Sequence, residues 1–178
     1  HAYHRRQRQM CIRDRLQDIH STPSIVEENP VLGELITNDL QYDSRSAFTL
    51  SLNHRETYTG ITDRDRALTT RRFGELAGEV YELSNSEAME ALGKEFRTPG
   101  HIPLCRESPG GLSKRQGHTE LAVAIARLSG NIPCTIGAEM LDPDGDGALS
   151  LQEARKYAEE HGIPMITGND IMESMDMV

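Results

Sequence analysis

The residues best suited to chemistry in this sequence lie at 115–120, which read Arg-Gln-Gly-His-Thr-Glu. The segment follows a glycine-rich loop and precedes an Ala- and Leu-rich stretch that is typical of a helix. A helix N-terminus attracts phosphate through its backbone N–H groups and its dipole. Arg115 adds a forked, permanently charged donor, and Thr119 can cap the helix and offer a hydroxyl to the same anion. The segment therefore predicts an anion site, with a plain capped helix beside a surface arginine as the alternative.

Three side chains, one of them within the predicted anion site, are candidates for metal binding or proton transfer. His118 lies within the predicted anion site and can ligate a metal ion or move a proton. His101 begins a short predicted strand, where a lone histidine is more often structural or exposed to solvent. Glu139 lies in an otherwise apolar predicted strand, residues 132–141, where burial would raise its pKa as in a general acid or base. The alternative for Glu139 is a residue at a strand end that reaches solvent.

Residues 142–153, Asp-Pro-Asp-Gly-Asp-Gly-Ala-Leu-Ser-Leu-Gln-Glu, match the calcium loop of an EF-hand. The residues before the loop predict a strand rather than the helix that an EF-hand needs, and the sequence contains no second hand. The preferred interpretation is an acidic turn in which Ser150 caps the following helix and Glu153 completes a capping box. A non-enzymatic calcium-binding module is the alternative function that this loop suggests.

Alternating helices and strands must position these residues. Apolar periodicity predicts strands at residues 46–53, 101–106, 132–141 and 164–167. It predicts helices at residues 64–83, 85–96, 119–128 and 150–161, with a last short helix after residue 169. The helix at 119–128 is apolar on nearly all sides, which predicts burial. Gly110 and Gly111 predict a tight turn, and Thr62 or Asp63 can cap the first helix. We therefore expect a layered α+β domain.

Length and composition exclude several classes of protein. The chain has 178 residues, a formal net charge of −9, and 37% hydrophobic residues. The acidic balance argues against a general nucleic-acid binder. The absence of an apolar run of about 18 residues argues against a membrane-spanning helix. Three scattered cysteines form neither a disulfide framework nor a zinc pattern, and fit a reducing, cytoplasmic compartment.

Residues 1–15 differ in character from the rest of the chain. They carry five arginines and one aspartate without apolar periodicity, and no apolar segment follows that would make a secretory signal. A basic arm for nucleic acid is one interpretation. We prefer a non-native head, which is excluded from fold reasoning and leaves residues 16–178 as a domain that lacks its N-terminal part. The small apolar content then fits a core completed by further chain and by a partner subunit.

Several segments together carry a family resemblance. They are Asn-His-Arg-Glu-Thr-Tyr-Thr-Gly-Ile-Thr at 53–62, Asp-Arg-Ala at 65–67, Phe-Arg-Thr-Pro-Gly-His at 96–101, Gly-Gly at 110–111, the segment 115–120, Glu-Met at 139–140 with the Asp-Gly turn after it, and His-Gly-Ile-Pro at 161–164. With these motifs, residues 32–171 resemble 3,4-dihydroxy-2-butanone 4-phosphate synthase, an enzyme family of riboflavin biosynthesis.

The resemblance implies a lyase that converts D-ribulose 5-phosphate into L-3,4-dihydroxy-2-butanone 4-phosphate and formate with Mg²⁺ or Mn²⁺. It also implies a homodimer and a mixed sheet flanked by helices on both faces. By matching positions, His118 would be a metal ligand, and His101 and Glu139 would serve proton transfer. The substrate, chiefly its phosphate, would be held by Thr59, Arg115, Gln116, Gly117, His118 and Thr119.

One motif of that family has no counterpart in this sequence. The family carries an acidic loop, Asp-x-x-x-Arg-Glu-x-Glu-x-Asp, that supplies a second protein ligand to the metal. Glu27-Glu28 lacks the arginine and the later acids, and Cys11 has the wrong spacing for the family's active-site cysteine. Magnesium favours oxygen ligands and should bind poorly to His118 alone. We therefore expect this chain to release no detectable formate.

Overall fold

The structure is a computed structural model that describes residue 27 and residues 47–175. The predicted head at 1–15, Cys11 and Glu28 lie outside the described residues. The elements of the described chain, in order, are β1 (Phe48–His54), α1 (Asp63–Glu79), α2 (Asn85–Glu95), β2 (Phe96–Cys105), a 3₁₀ turn (Gly111–Ser113), α3 (His118–Leu128), α4 (Leu151–His161) and α5 (Gly168–Ser174).

The helix ends follow local sequence signals. The side chains of Thr62, Ser84 and Ser150 accept hydrogen bonds from backbone N–H groups in the first turns of α1, α2 and α4. Gly162 ends α4 in the left-handed conformation, with φ of +61°. The predicted positions of these helices are therefore confirmed, although α1 ends at Glu79 rather than at residue 83.

The two strands pair in antiparallel fashion with an interrupted register. Leu52 lies opposite Ile102, but the next residue of β1, Asn53, lies opposite Arg97. The four residues 98–101 of β2 therefore have no pairing partners of their own in β1, because they are inserted between the pairs made by Leu52 and Asn53. They form a large bulge. The bulge is the feature of the fold that directs side chains of β2 toward the candidate site.

Two small apolar clusters hold the elements together. The cluster between the sheet and helices α1 and α2 consists of the buried residues Leu52, Leu76 and Phe96. The cluster between the 3₁₀ turn, α3 and α5 consists of the buried residues Leu112, Ala124 and Ile171. Helices with a small antiparallel sheet are compatible with the expected α+β class. None of the described helices has the length and apolar content needed to cross a membrane.

Three predictions about apolar segments are wrong. In the predicted strand at 132–141 only Leu141 pairs, in an isolated bridge with Ala148. The segment at 164–167 is likewise not a strand. Helix α3 is not buried on all sides, because Ile125 and Leu128 remain 39% and 48% exposed. An apolar run becomes a strand only where a partner strand pairs with it, and sequence periodicity does not supply the partner.

Candidate active site

The bulge of β2 places His101 beside Asn53, a residue of β1 that is only 4% exposed. The backbone N–H of His101 donates to Asn53 Oδ1 at 2.8 Å. Asn53 Nδ2 lies 3.1 Å from His101 Nδ1. A buried amide thus orients a histidine that is itself exposed to solvent.

Ser51 and Gly100 hold the bulge against β1. The Thr98 hydroxyl donates to the Ser51 carbonyl oxygen at 2.8 Å, and the Gly100 N–H donates to the Ser51 hydroxyl at 3.2 Å. A Cβ atom at Gly100 would lie 2.0 Å from the carbonyl carbon of Leu52. Only glycine permits this close approach of two backbones, and the approach positions the residue that follows, His101.

Thr59 lies in the loop between β1 and α1, and the carboxylate of Asp65 organises that loop. Asp65 Oδ2 accepts hydrogen bonds from the N–H groups of Thr59 and Gly60 at 3.0 and 2.8 Å, and lies 3.4 Å from the Thr59 hydroxyl. Gly60 has φ of +89°, and a Cβ atom there would lie 2.0 Å from Asn53 Nδ2. The loop that carries Thr59 therefore packs on the amide that orients His101.

The same contacts lower the pKa of the Asp65 carboxyl below its ordinary value. The Gly60 amide stabilises the ionised form most, burial opposes it, and the amides of Thr59 and Tyr58 add to the stabilisation. A carboxyl whose pKa is lower in the folded chain than in the unfolded chain stabilises the fold at any pH above its unfolded-state pKa. That stabilisation is lost as the pH falls through the pKa of the carboxyl in the folded chain.

We expect Asp65→Asn to remove part of the acid sensitivity of the fold. In the unaltered chain, stability should fall as the pH drops below about 4, where Asp65 begins to protonate in the unfolded chain. Urea unfolding at pH 7 and near pH 3 measures the loss, which should be smaller in the variant. Asp63→Asn is the control, because the Asp63 side chain is 95% exposed in the same helical turn. An acid-induced loss in Asp65→Asn as large as in the unaltered chain would contradict the assignment.

Helix α3 begins at His118, and its N-cap is Gly117 with no side-chain hydrogen bond. The predicted cap, Thr119, instead lies within the first turn, so that prediction is wrong. Glycine in an extended conformation is an accepted N-cap residue, which lets the helix start two residues earlier than Thr119 would allow. His118, Thr119 and the exposed Gln116 therefore all lie at this helix N-terminus.

Glu120 anchors Arg115 over that N-terminus. The Glu120 side chain is fully buried, and its Oε2 atom lies 2.5 Å from Arg115 Nη1. Its Oε1 atom accepts a hydrogen bond from the Ser108 N–H at 2.7 Å. A Cβ atom at Gly117 would lie 2.3 Å from Arg115 Nη1, so the guanidinium lies directly over the start of α3. The positive charge of Arg115 and the positive end of the helix dipole thus meet at one place.

His118 and Glu139 are neighbours, but they are not buried. His118 Nδ1 and Glu139 Oε1 lie 3.6 Å apart, and the two side chains are 89% and 74% exposed. Of the two interpretations of Glu139, burial within an apolar strand is therefore wrong and exposure to solvent is confirmed, because residues 132–141 lack the paired strand that would cover the side chain. The pairing itself brings together two of the residues that were singled out for chemistry.

The described residues do not by themselves fit a divalent-metal site. Within 47–175 and at residue 27, no three His, Cys, Asp or Glu side chains are grouped so that they can hold a metal ion. Mg²⁺ requires a near-octahedral shell made chiefly of oxygen atoms. His118 with Glu139 offers only one imidazole nitrogen and one carboxylate toward such a shell.

The acidic segment 142–153 forms a tight turn. The Asp142 N–H donates to the Gly147 carbonyl at 3.0 Å, and the Asp144 N–H donates to Asp142 Oδ1 at 3.0 Å. Ser150 accepts from the Glu153 N–H at 3.2 Å, which gives the serine half of the predicted capping box. In this turn the Asp142 carboxylate accepts a hydrogen bond from the backbone of the turn itself, at Asp144. Calcium binding by the turn stays a hypothesis.

Three buried polar residues hold the site although the sequence assigned them no role of their own within their motifs: Asn53, Asp65 and Glu120. Asp65 and Glu120 share a signal, since each lies three residues after the N-cap of its helix. An acid at that position often reaches back across the helix start. Asn53 opens the segment 53–62 but has no such local signal for its role, because its partner His101 is distant in the sequence.

Comparison with known proteins shows the family of the chain. The family model described as 3,4-dihydroxy-2-butanone 4-phosphate synthase matches residues 14–174. The chain is 46% identical over 145 residues to the 3,4-dihydroxy-2-butanone 4-phosphate synthase of Methanosarcina mazei, which covers 80% of this chain and 57% of the relative. It is 48% identical over 136 residues to the enzyme of the same name from Archaeoglobus fulgidus, covering 76% of this chain and 56% of the relative.

A third relative is the riboflavin biosynthesis protein RibBA of Staphylococcus aureus, which is 35% identical over 127 residues, or 71% of this chain and 28% of that protein. The chain belongs to the 3,4-dihydroxy-2-butanone 4-phosphate synthase family. It spans a little over half the length of the archaeal relatives named above.

Proposed function

We propose that this chain is part of an enzyme that converts D-ribulose 5-phosphate into L-3,4-dihydroxy-2-butanone 4-phosphate and formate for riboflavin biosynthesis. The observation that carries the proposal is the position of the Arg115 guanidinium over the N-terminus of α3, beside the neighbouring pair His118 and Glu139. This arrangement offers charge to a phosphate and proton-transfer groups to the sugar next to it. Membership of the family supports the choice of reaction.

The phosphate of the substrate would be bound by Arg115 and by the backbone at the start of α3. Gln116, Gly117, His118 and Thr119 lie at that start, where N–H groups and the helix dipole favour an anion. Glu120 offsets part of the arginine charge, but it also fixes the guanidinium in place, which reduces the entropy lost on binding. Thr59, on the loop held by Asp65, would add a contact to the substrate.

His101 and Glu139 would move the protons of the reaction. Enolisation of a ketone takes a proton from carbon and delivers one to oxygen, so it needs a group of each kind within hydrogen-bond reach. Both side chains are exposed, and each is oriented or accompanied by a partner: Asn53 for His101, and His118 for Glu139. The assignment of these two roles rests on family membership together with this placement.

His118 would supply one ligand to Mg²⁺ or Mn²⁺ in the complete enzyme. Because the described residues complete no metal site, we assign no step of the reaction to the ion. The complete enzyme would be a cytoplasmic homodimer, and the β1–β2 pair would form part of a mixed sheet covered by helices on both faces. Among the described residues, Cys105 and Cys134 carry free thiols.

We expect the 178-residue chain to release no detectable formate from ribulose 5-phosphate with Mg²⁺, because its sequence has no counterpart of the acidic loop that supplies the family's second protein ligand to the metal. A chimera in which residues 47–175 replace only the corresponding residues of the Methanosarcina mazei relative should release formate. In that chimera, Arg115→Met should lower kcat/KM by about 10²-fold or more, since charged contacts to phosphate are lost.

The matched control is Lys114→Met in the same chimera, which removes a neighbouring exposed charge. Its kcat/KM should stay within about twofold of the parent chimera, because screened surface charge contributes little. A folded chimera that binds ribulose 5-phosphate and releases no formate would refute the proposed reaction. Robust turnover by the 178-residue chain itself would refute the part of the proposal that concerns the metal site.

A further inference from the structure

We propose that Asn53 is a positioning residue that fixes neutral His101 in the tautomer with its ring proton on Nε2. The inference rests on the proposed role of His101 in proton transfer, and it names the state in which that ring would meet a substrate. It follows from three contacts in the bulge between β1 and β2.

The first step is the orientation of the Asn53 amide. The backbone N–H of His101 can only donate a hydrogen bond, and it lies 2.8 Å from one atom of that amide. This atom must be the oxygen, because the reversed amide would set two donors against each other. The backbone therefore determines which end of the Asn53 side chain faces which part of His101.

The second step transfers that orientation to the imidazole. With Oδ1 engaged by the backbone, Asn53 Nδ2 faces His101 Nδ1 at 3.1 Å, whereas Oδ1 lies farther from Nδ1, at 3.4 Å. An amide NH₂ group is a donor, so it needs a lone pair on Nδ1. In the neutral ring the proton then resides on Nε2.

Close packing holds the Asn53 amide rigidly in this orientation. Asn53 is 4% exposed, and Gly60 packs so closely on it that a Cβ atom at Gly60 would lie 2.4 Å from Asn53 Cγ. On the other side, Gly100 holds the bulge against the backbone of Leu52 and Asn53. The amide cannot rotate without moving both the Thr59 loop and the bulge, so it is set before any substrate arrives.

This tautomer separates the roles of the two proposed proton-transfer residues. Neutral His101 presents Nε2–H as a hydrogen-bond donor that can polarise a substrate oxygen, but it has no lone pair at Nε2 to accept a proton. Removal of a proton from carbon then falls to the carboxylate of Glu139. The structure thus assigns His101 to the oxygen of the substrate rather than to its carbon.

The test is the ring-nitrogen spectrum of the ¹⁵N-labelled 178-residue chain, recorded above the pH at which its histidines are protonated. Long-range proton–nitrogen correlations distinguish a nitrogen that carries a proton from one that does not, and His101→Gln identifies the resonances. We expect the unprotonated signal on Nδ1 and the protonated signal on Nε2. Since this measurement uses the unaltered chain, it does not depend on whether any variant folds.

Asn53→Asp is the decisive variant, because it has the same shape but carries only acceptors. The proton of His101 should move from Nε2 to Nδ1, and the two nitrogen signals should exchange positions. Asn85→Asp, the same change in the first turn of α2, is the matched control and should leave the His101 signals unchanged. A residue that only supported the fold would not move the tautomer in this way.

Two results would overturn the inference: an unaltered chain with its His101 proton on Nδ1 or shared between both nitrogens, or a folded Asn53→Asp chain with an unchanged tautomer. Formate release by the chimera tests the proposed function separately. An inactive chimera with the expected tautomer would reject the reaction and leave the positioning role intact. An active chimera, together with a His101 proton on Nδ1, would support the reaction and reject the positioning role of Asn53.

Discussion

Gly100→Ala is expected to destabilise the described fold by about 3 kcal/mol, the upper end of the usual cost of overpacking. Its new Cβ atom would lie 2.0 Å from the carbonyl carbon of Leu52, 2.3 Å from the amide nitrogen of Asn53, and 2.3 Å from the Leu52 oxygen. All three are backbone atoms, so no side-chain rotation relieves the contact. The strands must separate at the bulge, and His101 loses its place beside Asn53.

Urea unfolding of the 178-residue chain measures this loss, and Gly74→Ala provides the control. Gly74 lies within α1, and a Cβ atom there would meet no other atom within 4 Å. Alanine in place of glycine inside a helix should raise the free energy of unfolding by about 0.5–1 kcal/mol. Both substitutions replace glycine with alanine. If Gly100→Ala lowers the free energy of unfolding and Gly74→Ala raises it, the loss is due to the close approach of the two strands at Gly100. A Gly100→Ala chain as stable as the parent would show that β1 and β2 do not meet in the register described above.

The helices were predictable from the sequence because their signals are local. Thr62, Ser84 and Ser150 are capping residues at the start of apolar periodicity, and each caps the helix that follows it. Strand β2 was predicted only from residue 101, yet it begins at Phe96. Its first two residues pair with the end of β1, and a bulge separates them from the part that was predicted. The bulge depends on contacts with residues that are distant in the sequence. Local periodicity carries no information about such a register.

In the candidate site, too, the features with local sequence signals were predictable and those that depend on packing were not. Arg115, Gly117 and His118 were identified from their types and spacing, and they do lie together at the start of α3. For Glu139 the sequence left burial and exposure as alternatives, and the structure shows the exposed one, because burial depends on what packs on a residue rather than on its neighbours in the chain. The burial of Glu120 was not predicted for a related reason: an acid is tolerated in the interior only when a cation and a backbone N–H reach it.

Glu120→Ala should cost about 3 kcal/mol of unfolding free energy, as expected when one partner of a buried ion pair is removed. The change removes the Glu120 carboxylate from the guanidinium of Arg115, whose side chain is only 21% exposed. It also leaves the Ser108 N–H without its acceptor. Urea unfolding of the 178-residue chain at pH 7 checks the value. Glu90→Gln is the control, because Glu90 and Lys94 form an exposed pair within α2, and the loss of that pair should leave the free energy of unfolding nearly unchanged.

Glu120→Gln distinguishes the charge of Glu120 from its shape. The amide can still accept from the Ser108 N–H, but it cannot neutralise Arg115. The loss of stability in Glu120→Gln should therefore lie between that of the alanine variant and that of the Glu90→Gln control. Because Glu120 also holds the guanidinium over α3, binding of inorganic phosphate, followed by the amide resonances of residues 117–119, should weaken together with stability in both Glu120 variants. Unchanged phosphate binding in a destabilised Glu120→Gln chain would show that Glu120 supports the fold without positioning Arg115 for an anion.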